Sequence, residues 1–90
     1  MKRSRLEICI DILQTVNKGY HKPTRIMYKS NLSWNPLCET LNFLTEQGAL
    51  EVKKIGKKKK YYITEKGKEI LEYYEQLKRI LMEKTEFPHV

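Results

Sequence analysis

The chain has little from which to build an active site or a metal centre. Its two histidines and two cysteines, Cys9 and Cys38, stand at no metal-ligand spacing, and its four glycines form no phosphate-binding loop. No carboxylate pair in an evident cleft and no His or Cys beside a nucleophile or base offers catalytic chemistry. An enzyme is therefore not expected, nor is a cofactor or a metal. No run of about 18 apolar residues is present, which excludes a membrane-spanning helix. The opening Met-Lys-Arg-Ser-Arg leads into an apolar stretch broken by Glu7 and Asp11, unlike a signal sequence. A cytoplasmic protein is expected. Both cysteines fall on apolar helical faces and read as small core residues, with a disulfide as the alternative.

What the chain does have is lysine. Ninety residues carry a formal net charge of +7, with Lys and Glu favoured over Arg and Asp. The charge is blocked: residues 1–30 carry +5, 31–52 carry −3, 53–68 carry +7 and 69–90 carry −2. Ninety residues make one domain's worth of chain, which buries only about 60% of its unfolded surface, so a second chain or a long docking helix would help it.

The run Gly56-Lys57-Lys58-Lys59-Lys60 lies between two strand-like segments, Ala49-Leu50-Glu51-Val52-Lys53-Lys54-Ile55 and Tyr61-Tyr62-Ile63-Thr64. The lysines are expected at the tip of a hairpin. Four ammonium groups within a Debye length of about 8–10 Å repel one another, and a polyanion would relieve that repulsion. The other reading is a solvated loop that keeps a sheet edge from pairing with other chains.

Three helices are expected before the hairpin. Ser4 and Glu7 form a capping-box signature, followed by Ile8, Ile12, Leu13 and Val16 at helical spacing and a stop at Asn17-Lys18-Gly19. Pro23-Thr24 opens a short second helix with Ile26 and Met27 inward, Arg25 and Lys29 outward, and Asn31 as terminator. Ser33 caps a third, with Leu37, Leu41 and Leu44 as its buried stripe, Trp34, Cys38 and Thr45 beside them, and Gly48 as the stop. So tight a connection between helices two and three is the helix-turn-helix geometry.

Thr64 caps a last helix over 65–84, about 30 Å long. Ile70, Tyr73, Tyr74, Leu77, Ile80 and Leu81 line one face of it with partly coiled-coil spacing. The face suits a homodimer interface; a helix folded back on helix one is the alternative. The tail, 86–90, is expected to fray. The fold expected is thus mainly α with a small β-hairpin, a winged helix-turn-helix over 1–64 joined to a dimerisation helix and tail over 65–90.

Three segments also carry a family resemblance: Thr24-Arg25-Ile26-Met27-Tyr28-Lys29-Ser30-Asn31-Leu32-Ser33, Leu41-Asn42-Phe43-Leu44-Thr45-Glu46-Gln47-Gly48-Ala49-Leu50, and Tyr62-Ile63-Thr64-Glu65-Lys66-Gly67-Lys68. Together they resemble archaeal winged-helix regulators, in particular the small dimeric 10a-type chromatin proteins of Sulfolobus. The resemblance implies a domain that binds duplex DNA and a C-terminal helix that pairs with its twin as an antiparallel coiled coil.

The third helix should present Asn35, Glu39, Asn42, Phe43 and Glu46, a face without Arg or Lys. Asn35 and Asn42 suit adenine and Glu39 suits cytosine, while Glu39 and Glu46 repel phosphates. Phe43 either touches a thymine methyl or packs under the wing or against the N-terminal segment. Phosphate contacts are expected from Lys2, Arg3 and Arg5, from Arg25 and Lys29, and from Lys57, Lys58, Lys59 and Lys60, with Thr24 and Ser33 as further DNA-binding candidates. The charge layout points to DNA binding by backbone electrostatics with limited base preference, and the resemblance implies a nucleoid-associated regulator or chromatin protein. A winged-helix protein-interaction module is the other class, its acidic helix-three face docking a partner.

Overall fold

The structure, a computed structural model, describes residues 3–83. Lys2 and the tail over 86–90 lie outside the described residues. The capping box at the first helix is formed in full: Ser4 Oγ accepts from the Glu7 amide at 3.1 Å, and the Glu7 carboxylate accepts from the Ser4 amide at 2.8 Å. Two amides that a helix start leaves open are thereby satisfied. The elements run α1 (Arg5–Asn17), α2 (Pro23–Ser30), α3 (Trp34–Glu46), β1 (Leu50–Ile55), β2 (Lys58–Ile63) and α4 (Glu65–Glu83). This is a winged helix, mainly α with one antiparallel hairpin.

Asn31 ends α2 in the left-handed conformation, φ 57° and ψ 48°, which turns the chain sharply enough for α3 to begin at Trp34. Ser33 occupies the N-cap position of α3, but its side chain makes no capping hydrogen bond. The core gathers Ile12, Leu13 and Val16 from α1, Ile26 from α2, Leu37, Leu41 and Leu44 from α3, Leu50 and Tyr61 from the hairpin, and Leu71 from α4.

The start of α4 is fastened to the turn between α3 and β1. Thr64 Oγ1 donates to the Gly48 carbonyl at 2.6 Å and accepts from the Gly67 amide at 3.1 Å, and the Thr64 amide donates to the Ala49 carbonyl at 3.1 Å. Gly67 is where the helix crosses that turn: a methyl group there would strike the Ala49 carbonyl oxygen and lie 2.7 Å from Ile63 Cγ1. The glycine is required by close approach, since only a residue without a Cβ fits.

From this anchor α4 carries two apolar faces. Gly67 and Leu71 are buried, and Ile70 and Tyr74 pack half-buried against the same core. Tyr73, Leu77, Ile80 and Leu81 lie mostly on a second stripe, about a quarter turn round the helix at about 100° per residue, and all four are exposed. The inner half of α4 thus packs on its own domain, against α1 and β2, while its outer half carries exposed apolar side chains. No helix among the described residues is long and apolar enough to cross a membrane.

Candidate nucleic-acid interface

The lysine run is not a loop. Gly56 and Lys57 make a two-residue turn, and Lys58, Lys59 and Lys60 belong to β2. The expectation of four lysines at the tip therefore holds only for Lys57. Gly56 has φ +63° and Lys57 is not in the left-handed region, which fits the Gly-X turn that suits strand twist and lets pairing run to the end. The register is Leu50↔Ile63, Glu51↔Tyr62, Val52↔Tyr61, Lys53↔Lys60, Lys54↔Lys59 and Ile55↔Lys58. Leu50, Val52, Tyr61 and Ile63 share the face that meets the core, while Lys53, Lys58 and Lys60 share the other with Tyr62.

Two lysine pairs consequently stand directly opposite each other, Lys53 with Lys60 and Lys54 with Lys59. Like charges in opposed positions destabilise a hairpin. One of the four is partly relieved: Lys53 Nζ lies 4.9 Å from the centre of the Tyr62 ring.

His21 ties this wing to the start of α2. The Tyr61 amide donates to the His21 carbonyl at 2.9 Å, and His21 Nδ1 lies 2.8 Å from the Tyr61 carbonyl. Because that acceptor is a carbonyl, Nδ1 is the nitrogen that carries the proton. The ring also stacks on Tyr62 with centroids 4.2 Å apart. The link brings β2 beside the basic opening turns of α2. One cleft of about 280 Å³ there is lined by Gly19, Tyr20, His21, Lys22, Arg25 and Lys60. Arg25 and Lys29 stand over the Tyr20 ring at 5.9 and 5.1 Å. Thr24 is exposed on the same helix and lines a second cleft with Lys58, Lys59 and Lys60.

Asn35, Glu39, Asn42 and Glu46 are exposed along the outer side of α3, so its solvent face carries no cation. Phe43 is 41% exposed and shares a cleft with Arg5, Ile8 and Cys9, which places it toward α1 and away from the wing. Arg5 lines that cleft beside Glu39. Arg3 is engaged within the fold: Nη1 reaches Asp11 Oδ2 at 2.7 Å and the Ser30 carbonyl at 2.6 Å, and Nη2 donates to the Asn31 carbonyl at 2.7 Å. It fastens the C-terminal end of α2 to α1, where helix carbonyls lack partners.

Lys22 and Lys53 extend this basic face and were not singled out in the sequence, and Trp34, expected beside the buried stripe, lies exposed next to it. Lys22 precedes Pro23 and reads as loop, yet lines both clefts. Trp34 sits at helical spacing beside the buried stripe but is 48% exposed. The signal available for it was position: the first residue of a helix has no preceding turn to cover it.

Among the dimerisation candidates, Ile70 and Tyr74 are half-buried against their own core, and Tyr73, Leu77, Ile80 and Leu81 are exposed. Both cysteines are free and half-buried. Burial pushes the Cys9 thiol upward against the opposing pull of Arg5. Burial likewise raises the Tyr61 phenol, and the Cys38 thiol adds to the effect.

The profile of the winged helix-turn-helix family matches residues 2–82, and the chain belongs to that family. Among individual relatives, an uncharacterized protein of Methanocaldococcus jannaschii is 35% identical over 83 residues, covering 92% of this chain and 81% of that protein. The crystal structure of Sso10a-2, a DNA-binding protein from Sulfolobus solfataricus, is similar with a TM-score of 0.76 and 32% identity, over 87% of this chain and 81% of that one. F93 from STIV, a winged-helix DNA-binding protein, matches in fold with a TM-score of 0.72 at 18% identity, over 90% of this chain and 96% of that one.

Proposed function

We propose that the protein binds duplex DNA as a homodimer, through wing and helix-turn-helix and mainly by phosphate contacts, as a nucleoid-associated regulator or chromatin protein in the cytoplasm. The observation that carries this is the wing register: two opposed lysine pairs, one on each face of the outer hairpin, destabilise the free wing, and duplex phosphates on either side of an inserted wing would remove that repulsion. Arg25, Lys22 and Thr24 on or beside α2 extend the same basic surface, and Lys29 stands over the Tyr20 ring at its edge. Asn35 and Asn42 offer amides to base edges, without the arginine that a strong guanine contact uses. Affinity from the wing with few base contacts favours modest sequence preference. Sso10a-2 and F93, both DNA-binding proteins of this fold, support the reading.

The domain division follows from it: residues 1–64 meet DNA, and the helix beginning at Glu65 pairs with a second copy through Tyr73, Leu77 and Ile80, with Ile70, Tyr74 and Leu81 at the margin. The test is a binding titration of a randomised duplex pool at two salt concentrations, with oligomeric state by light scattering. A steep fall in affinity with salt, near-uniform recovery of sequences and a mass of two chains are expected. Salt-independent behaviour would overturn the DNA reading and favour a protein-docking module, whereas enrichment of one motif would favour a site-specific regulator.

A further inference from the structure

Phosphate contacts leave one surface of the basic face unexplained. Trp34 keeps 48% of its area exposed, whereas Leu37, Leu41 and Leu44 on the same helix keep at most 3%. With Pro23 and Thr24 it lines a cleft of about 240 Å³ to which Lys22, Lys58, Lys59 and Lys60 also contribute. Among the described residues no acidic one lines it. The neighbouring cleft at Tyr20 and His21 shares Lys22 and Lys60, so aromatic rings and lysines are gathered around the start of α2.

An inorganic anion makes no use of an indole, and an apolar ligand makes no use of four ammonium groups. The pair of features selects a planar ring joined to an anionic group. A nucleotide has that chemistry, but in a duplex its ring faces are covered by neighbouring bases. We propose that these clefts bind single-stranded nucleic acid, with an unpaired base stacked on Trp34 and adjoining phosphates held by Lys22 and Lys60. Stacking of bases on aromatic side chains beside a basic track is the general way unpaired strands are held, and it tolerates any sequence. The proposal rests on the reading of the lysine face as a nucleic-acid surface, and adds to it a ligand that the duplex interface does not accommodate.

Trp34 is the chain's single tryptophan, so its fluorescence reports on this cleft alone. The full chain is titrated at low salt with an oligothymidine of about eight nucleotides, an abasic strand of the same length, free thymidine monophosphate and a duplex. The oligothymidine is expected to quench Trp34 saturably. The abasic strand, with the same charge and no rings, binds about tenfold more weakly. Trp34→Ala weakens strand binding about tenfold, as expected for loss of one stacked base, while Trp34→Phe retains most of it and duplex affinity by anisotropy changes less than about twofold.

Equal binding of abasic and ordinary strands would overturn the proposal, and that arm leaves the protein unaltered. So would equal losses for strand and duplex in Trp34→Ala. Quenching by the free mononucleotide with no gain from lengthening would overturn the strand and assign the cleft to a free nucleotide. Duplex binding without strand-induced quenching defeats this inference alone. Failure of both duplex and strand to bind defeats the DNA reading beneath it.

Discussion

Replacing Lys59 and Lys60 by threonine separates the wing's electrostatic role from its structural one. Threonine suits a strand, so the hairpin keeps its propensity, while both opposed pairs, Lys54 with Lys59 and Lys53 with Lys60, lose one charge. With about five phosphates neutralised per protomer, the logarithm of affinity should fall with that of salt at a slope near −4.5; removing two contacts brings it to about −2.7. Between about 50 and 200 mM salt the parent chain then loses about 500-fold in affinity and the variant about 40-fold. Stability should move the other way. Relief of two exposed like-charge pairs is worth on the order of a few tenths of a kcal/mol each, a rise in Tm of about 2–4 °C for a domain of this size. Fluorescence anisotropy against a duplex across a salt series, with thermal melts of the free proteins, measures both. A weaker but equally salt-dependent complex together with a lower Tm would refute the reasoning, because it would make these lysines structural.

Four further outcomes follow from named contacts. Gly67→Ala drives a methyl group into the Ala49 carbonyl and should cost about 1–3 kcal/mol in chemical denaturation, more than a helix-favouring change elsewhere on α4. Arg3→Gln loses the Asp11 ion pair and weakens the bonds to the Ser30 and Asn31 carbonyls, lowering stability by about 1–2 kcal/mol while leaving the DNA salt slope unchanged, since Arg3 is spent inside the fold. Leu77→Glu with Ile80→Glu should shift the light-scattering mass from two chains to one without lowering the helix content of α1 to α3. The Cys9 thiol and Tyr61 phenol are both raised, so the folded chain holds these protons longer than the unfolded chain. Their contribution is complete below the ordinary values of 9.0 and 10.0 and is lost as pH rises through the folded ones. Melting temperature should fall on the alkaline side, and Tyr61→Phe should flatten part of that fall.

Local chemistry was enough to determine the order of elements. A capping box at Ser4 and Glu7, a proline opening α2, an asparagine ending it in the left-handed region and a glycine at the wing turn all act within a few residues, so they are legible in one dimension. Helical spacing likewise identified Leu37, Leu41 and Leu44 as core. What the sequence could not determine is what each charge or ring meets across the fold. Arg3, Arg5 and Lys57 look alike as N-terminal or wing cations, yet Arg3 is tied to Asp11 and α2 while Arg5 lies in the cleft with Phe43.

The same holds for α4, where periodicity merges two stripes and Leu71 was missed because only packing shows which side faces the domain. For the lysine run, composition supplied the charge, but strand register decided that Lys53 faces Lys60 and Lys54 faces Lys59. The His21 link to Tyr61 then set the wing beside α2. Charge is a property of single residues and survives in a sequence. Opposition and proximity belong to pairs distant in the chain, and only the folded backbone brings them together.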